Sequence, residues 1–271
     1  MRYETIKAHR LTPIVGAEIS GVDLTGPLSG RQVDELRQAL AEHLVIFFRD
    51  QKLDFESHKA MARAFGDIHI APSTRQWTEP GHPEITRIHA DENSTFVAGE
   101  DWHSDMSCDP EPPLGSILYL HTVPEVGGDT VFSSMYAAYD SLSDRMKAYL
   151  EGLTATHDAT LGFGGITPPG MVLPKSSHPV IRTHPMTGRK TIYVNRGFTT
   201  KIEGLPAHES TAILNFLFQH VQKPEFQCRF SWKPHSIAFW DNRCLQHSAI
   251  WDYFPNRRSG YRIQVCGEKP Y

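Results

Sequence analysis

Asp101-Trp102-His103-Ser104-Asp105 places a histidine and a carboxylate two residues apart, a spacing that on a β-strand sends both side chains from one face. An imidazole and a carboxylate, joined by a second histidine from far along the chain, form the two-histidine, one-carboxylate face that holds non-haem Fe(II). Such a face leaves positions open for substrate and oxygen. His247, in Leu245-Gln246-His247-Ser248, is the candidate partner. Alone the His-x-Asp pair says little, since a chain with 15 His and 31 Asp plus Glu produces such pairs by chance. A metal held by an early and a late segment needs a fold that closes distant strands on each other. A barrel or jelly roll does this.

Working outward, residues 68–100 lose regular patterning, with Pro72, Pro80, Gly81 and Pro83 breaking a polar stretch that reads as a lid. Beyond Asp105, Leu114 to Val123 reads as a strand, Gly127-Gly128-Asp129-Thr130 as a turn and Val131-Phe132 as a short strand. Helical spacing returns at Leu142, Met146, Tyr149 and Leu150. Residues 158–179, carrying Gly162, Gly164, Gly165, Pro168, Pro169, Gly170, Pro174 and Pro179, read as a second lid. A hairpin is expected at Pro185-Met186-Thr187-Gly188-Arg189, and a helix opening at Pro206 with Ile213, Leu214, Leu217, Phe218 and Val221 inward. Phe226 to Val265 alternates strands and turns.

Toward the N-terminus, Ser29 with Gln32 is a capping box, Leu44-Val45-Ile46-Phe47-Phe48 a buried strand, and Asp54 the cap of a second helix that Gly66 can end. No internal repeat or composition shift divides the chain. The expectation is a single domain over 1–271, mainly β with flanking helices, with lid segments at about 68–100 and 158–179.

Composition narrows the function. Hydrophobic residues at 39% and charged residues at 21% are those of a soluble globular protein. A net charge of −4 without a dense Lys/Arg run argues against a nucleic-acid partner. No apolar run reaches the ~18 residues of a membrane span. Met1-Arg2-Tyr3-Glu4 lacks the apolar core of a signal peptide, and Cys108, Cys228, Cys244 and Cys266 form no C-x-x-C, so a cytoplasmic protein with reduced thiols is expected.

Arg258 and Arg262 share a face if their segment is a strand, and a guanidinium near an iron centre can clamp a carboxylate through paired hydrogen bonds. Thr130 can add a hydroxyl. With these residues in place, the chain resembles the taurine/aryloxyalkanoate dioxygenase (TauD/TfdA) family of Fe(II)- and 2-oxoglutarate-dependent oxygenases over nearly its whole length. The matching stretches run from Ile14-Val15-Gly16-Ala17-Glu18-Ile19-Ser20-Gly21-Val22-Asp23-Leu24 through Trp102-His103-Ser104-Asp105 and Gly127-Gly128-Asp129-Thr130. They continue through His178-Pro179-Val180, Tyr193-Val194-Asn195, Trp240-Asp241-Asn242-Arg243 and Gln246-His247 to Arg258.

The resemblance implies a double-stranded β-helix, a cupin-like jelly roll with helices packed outside. It makes His103, Asp105 and His247 the catalytic iron ligands. It gives Arg258 and Thr130 the distal carboxylate of 2-oxoglutarate, and sets Arg262 near the acid group of substrate or co-substrate. O2 is the second co-substrate, and 2-oxoglutarate yields succinate and CO2 as the substrate is hydroxylated. Related halogenases replace the carboxylate ligand by a small residue, so Asp105 implies hydroxylation. Family members often form homo-oligomers, and the same is expected here.

On substrate the resemblance divides. Taurine dioxygenases carry a polar lid His where Ala71 stands and an Asn where Gly99 aligns, which counts against taurine. Ala98-Gly99-Glu100-Asp101-Trp102 and the stretch from His157 to Gly164 are similar to the aryloxyalkanoate branch. Gly197-Phe198-Thr199-Thr200 and Lys223-Pro224-Glu225-Phe226 are similar to the taurine branch. The expectation is a small organic anion, a carboxylate of aryloxyalkanoate type ahead of a sulfonate or sulfate. Phe163, Phe198 and Met106 are candidate apolar walls, while His69 and His89 flank the first lid. Trp240 with Asp241 and Asn242 is read as a brace before His247, and Cys108 as an inert thiol. A reading of another class, a non-catalytic 2-oxoglutarate-binding jelly roll, sits poorly with an intact ligand set and both arginines.

Overall fold

Val45–Phe48 shows how the layers are built. All 4 of its side chains are buried because both faces are covered: Ile46 and Phe48 join one core cluster, Val45 and Phe47 another. That two-sided cover is why the stretch is continuously apolar rather than alternating. The computed structural model describes residues 3–97, 99–168 and 170–271. Met1 and Arg2, and one residue of each expected lid, Ala98 and Pro169, lie outside the described residues.

Val45–Phe48 belongs to a nine-stranded sheet. The strands run in the order Lys7–Arg10, Ala17–Ser20, Val45–Phe48, Ser236–Asp241, Gly115–Thr122, Arg258–Val265, His82–Ala90 and Thr78–Glu79, with Ile68–His69 also paired to Arg258–Val265. Ala17–Ser20 pairs Val45–Phe48 in parallel, and the other pairings are antiparallel. Helix Gly30–His43, closed by the Ser29–Gln32 capping box, lays Leu36, Ala39 and Leu40 on the outer face. Helix Phe55–Arg63, capped by Asp54, adds Met61 and Ala62 and ends before Gly66.

The inner face packs on a second sheet of Gln227–Phe230, Thr130–Ser134 and Leu245–Ala249. Phe47 stacks on Phe230 at 3.9 Å and meets Phe132 edge-on at 5.5 Å. Burying each such ring stabilises the sandwich by roughly 1.5–3 kcal/mol. Two sheets with helices outside the larger one make the expected jelly roll, and strand Leu245–Ala249 of the smaller sheet carries His247.

The first lid is shorter than expected. Within 68–100, strand His82–Ala90 pairs in register with Arg258–Val265, matching Arg258 to Ala90 and Arg262 to Thr86, and Pro72–Trp77 forms a 3-10 turn. Only Ile85 and Ala90 of that strand are buried, so no hydrophobic period marked it. The second lid likewise holds a helical turn at Thr160–Phe163 and strand Lys175–Pro179. The hairpin of Ile181–Thr183 with Lys190–Ile192 and helix Ala207–His220 stand where expected. Among the described residues, no helix is long and apolar enough to cross a membrane.

Candidate metal centre

His103 and His247 come together through their backbones. The His103 N–H donates to the His247 carbonyl at 3.1 Å and the His247 N–H to that of His103 at 2.9 Å, an isolated antiparallel bridge. Asp105 does not share a strand with His103, as its spacing had suggested. It lies in the turn after the bridge, in which Met106 takes a positive φ of 50. The turn still returns the carboxylate to the rings: Asp105 Oδ1 is 3.4 Å from His103 Nε2 and 4.0 Å from His247 Nε2. Ligand atoms of the three residues all lie within 4.8 Å of one another.

The donor set suits a divalent metal. His103 Nδ1 is 2.7 Å from the Asp101 carbonyl, which can only accept, so a proton sits on Nδ1 and Nε2 is the nitrogen turned to Asp105. His247 is pinned against Trp240 with ring centroids 4.6 Å apart, and its Nδ1 is buried without a hydrogen-bond partner in the protein. Burial above all, then the neighbouring His103, holds the His247 imidazole well below its usual range and therefore neutral. Burial pushes the Asp105 carboxyl up, but the Arg262 guanidinium beside it outweighs that and keeps it ionised. Two imidazoles and one carboxylate are the ligand set that suits non-haem Fe(II).

Strand Arg258–Val265 brings both candidate arginines to this end of the sandwich, and they divide the work. Arg262 Nη1 donates to Asp105 Oδ1 at 2.8 Å, while its buried Nε has no partner in the protein. Arg258 is 4% exposed; its Nε donates to the Gly128 carbonyl at 3.0 Å and its Nη2 approaches Thr130 Oγ1 at 3.4 Å. Among the described residues it forms no ion pair, and nearby Asp129 is taken by Arg229 at 2.6 Å. A buried guanidinium without a counter-charge is costly, which fits a site completed by a bound carboxylate. Trp232, which belongs to no motif legible beforehand, donates its indole N–H to Thr130 Oγ1 at 3.0 Å and lies under Arg258 at 5.5 Å.

An aromatic path leads from the ligands to the lids. Phe198 is 6.3 Å from His103, Phe163 is 5.8 Å from Phe198, and Trp77 of the first lid is 5.9 Å from Phe163. Met106, Ala71, Cys108 and Ala159 complete this cluster. Asn195 fixes the Phe198 backbone, accepting its N–H at 3.0 Å. His69 is paired to Asp109 at 3.1 Å and His89 to Ser259 and Asp91, so both flanking histidines have other partners. Cys108 is buried and its thiol is pushed up by that burial, as an inert thiol should be. Trp240 packs on the His247 ring, Asn242 accepts the Asp105 N–H and the Trp240 indole N–H, and Asp241 is taken by Arg243 and His184.

Comparison with known proteins agrees with this geometry. The family described as "Taurine catabolism dioxygenase TauD, TfdA family" matches residues 7–264. An alpha-ketoglutarate-dependent sulfonate dioxygenase of Saccharomyces cerevisiae is 34% identical over 98% of this chain and 68% of its own length. An alpha-ketoglutarate-dependent 2,4-dichlorophenoxyacetate dioxygenase of a Burkholderia species is 32% identical over 90% of this chain and 88% of its own. The crystal structure of a taurine dioxygenase from Burkholderia xenovorans superposes with a TM-score of 0.87 at 36% identity, covering 98% of this chain and 91% of that one.

Proposed function

Because the chain belongs to the TauD/TfdA family of Fe(II)- and 2-oxoglutarate-dependent dioxygenases, we propose that it hydroxylates a small organic anion with an apolar body, an aryloxyalkanoic acid being the first candidate. The non-catalytic reading is set aside with the family assignment. His103, Asp105 and His247 hold Fe(II) in this reading, and Arg258 with Thr130 holds the distal carboxylate of 2-oxoglutarate. Fe(II), when bound, supplies the redox chemistry that couples decarboxylation of 2-oxoglutarate by O2 to hydroxylation of the substrate.

The protein's own contribution is positioning and exclusion of water. Arg258 and the Thr130 hydroxyl orient the co-substrate, Arg262 carries positive charge beside the ligand carboxylate, and Phe198, Phe163 and Trp77 wall the approach. The observation that carries this reading is the inventory of charge on one strand: among the described residues Arg258 has no carboxylate partner and Arg262 pairs with Asp105 alone. Both invite an anion.

The apolar body follows from the lids. Ala71 sits in the apolar cluster, and a Cβ at Gly99, where φ is +89, would meet His103 Cε1 at 3.1 Å, so neither position offers a polar contact to an amine. Hydroxylation at a carbon next to a heteroatom would split such a molecule and release an aldehyde or keto acid. A second reading, an alkyl sulfonate or sulfate at the same iron, is favoured by the yeast relative and differs only in the acid group facing Arg262.

The test is succinate formation from 2-oxoglutarate with Fe(II) in the presence of matched carboxylates, sulfonates and sulfates. Stimulation by aryloxyalkanoates supports the first reading, and stimulation by sulfonates or sulfates alone replaces it with the second. Asp105→Ala should form no succinate with any of them; normal turnover in that variant would remove the iron site from these residues.

A further inference from the structure

Ser116 stands out as a lone hydroxyl in the apolar run Gly115-Ser116-Ile117-Leu118, at the centre of the large sheet and 0% exposed. The strand register sets it directly beside Gln264 on one neighbour and Trp240 on the other. Its Oγ has three partners: Asp105 Oδ2 at 2.6 Å, Asn242 Nδ2 at 3.1 Å and Gln264 Nε2 at 3.1 Å. A hydroxyl owns one proton and two lone pairs. Both amide nitrogens can only donate, so they fill the lone pairs and the proton goes to Asp105 Oδ2. The orientation of the Asn242 amide is itself fixed, because its Oδ1 accepts from the Asp105 N–H at 3.3 Å and the Trp240 indole N–H at 3.0 Å.

The two carboxylate oxygens of Asp105 therefore have different surroundings. Oδ1 faces His103, His247 and Arg262, while Oδ2 is turned away into the Ser116 hydroxyl. The distinction matters because a face of two histidines and one carboxylate would hold Fe(II) with positions left open for co-substrate and oxygen. A carboxylate binding through both oxygens would close one of those positions. We propose that Ser116 is a positioning residue that would make Asp105 a one-oxygen metal ligand, with the fixed Asn242 amide aiming its proton. The inference rests on the metal reading of His103, Asp105 and His247, and goes beyond it in assigning how Asp105 is presented.

Partners that orient a metal ligand typically carry a 10- to 100-fold share of metal affinity. The experiment is titration of metal-free protein with Mn(II), followed by electron paramagnetic resonance, and with Co(II), whose visible band intensity reports coordination number. It compares the natural chain with Ser116→Ala, Gln264→Met and Asp105→Ala, each first shown folded by circular dichroism. Binding by the natural chain and its loss in Asp105→Ala establish the metal reading; failure of either overturns that reading whatever Ser116 does.

Where the metal reading stands, Ser116→Ala should bind Mn(II) about tenfold or more weakly and change the Co(II) band. Gln264→Met, which loosens the tie between strands but keeps the Ser116 hydroxyl, should stay within about twofold. Natural affinity and an unchanged band in Ser116→Ala, or equal losses in Ser116→Ala and Gln264→Met, would overturn the proposal. If Ser116→Ala does not fold, Ser116→Cys takes its place: its weaker donor should reduce affinity, and full affinity would count against the assignment.

Discussion

The indole N–H of Trp232 donates to Thr130 Oγ1 at 3.0 Å, and that one bond decides what the threonine can offer. With Trp232 on one lone pair and Arg258 Nη2 approaching at 3.4 Å, the Thr130 proton is left to point at an incoming carboxylate. Trp232→Phe keeps most of the packing but frees the hydroxyl to rotate. A neutral hydrogen bond is worth about 0.5–1.5 kcal/mol net, so KM for 2-oxoglutarate should rise roughly two- to tenfold with kcat at saturation little changed. Initial rates of succinate formation over a range of 2-oxoglutarate concentrations measure this, and an unchanged KM would mean that Thr130 does not face the co-substrate.

Gly197 lies against the other side of the centre. A Cβ built there would come within 2.8 Å of His103 Cβ, closer than real side chains approach. Gly197→Ala must therefore displace the His103 side chain and its hydrogen bond to Asp101. Metal affinity should fall by roughly tenfold or more, the scale seen when the support of a ligand is lost. The fold should persist, because the glycine packs on the site rather than in a main core cluster. Isothermal titration of the metal-free variant with Mn(II) tests this, and wild-type affinity would show that the loop yields instead of the ligand.

The parts of this site that sequence made legible are those whose identity alone implies chemistry. His103, Asp105 and His247 combine residue types with few other joint uses, and Arg258, Arg262 and Thr130 belong to recognisable stretches. Ser116 and Trp232 carry no such mark, because their roles exist only through partners brought near by strand pairing: Asp105 and Gln264 for one, Thr130 for the other. A lone polar residue inside an apolar run was a readable signal for Ser116, while nothing comparable marked Trp232. The errors in the fold have the same origin. His82–Ala90 looked like a loop because its exposed face and its contacts with Arg258–Val265 left only two buried positions, and Asp105 looked like strand because a turn beginning at Asp105 has no sequence signature as strong as the His-x-Asp spacing.

Two buried histidines away from the ligands make the fold sensitive to acid. Burial pushes His58 down to about 4 and His157 down to about 3, while an unfolded histidine titrates near 6.5. Below 6.5 the unfolded chain binds protons that the folded chain refuses, so stability present at neutral pH is lost as pH falls toward the folded values. By pH 5 each histidine should cost about 2 kcal/mol. Urea unfolding of metal-free protein at pH 7 and pH 5 should show a loss of at least about 4 kcal/mol, of which His58→Gln recovers about 2 kcal/mol. A loss that His58→Gln leaves untouched would place the proton uptake elsewhere.

Trp77 is where the two lids meet. Its ring lies 5.9 Å from Phe163, and the neighbouring Gln76 donates from Nε2 to the Ile166 carbonyl at 3.2 Å, so the Pro72–Trp77 turn and the segment after Thr160–Phe163 touch over the path that leads through Phe198 to His103. Trp77→Ala should remove one wall of the substrate's apolar surroundings and admit water, while the Arg258 and Thr130 end of the site is left as it was. Losing an apolar contact of this size costs about 1.5–3 kcal/mol, so KM for the organic substrate should rise roughly 10- to 100-fold. The second consequence separates a lid from a passive wall. With the substrate held loosely, more 2-oxoglutarate should be consumed per molecule hydroxylated, raising the ratio of succinate to product, and KM for 2-oxoglutarate should stay within about twofold of the natural enzyme. Product and succinate counted in the same reaction decide it: a raised substrate KM with unchanged coupling would leave Trp77 as a contact surface only, and no change in either would take the lids out of substrate selection.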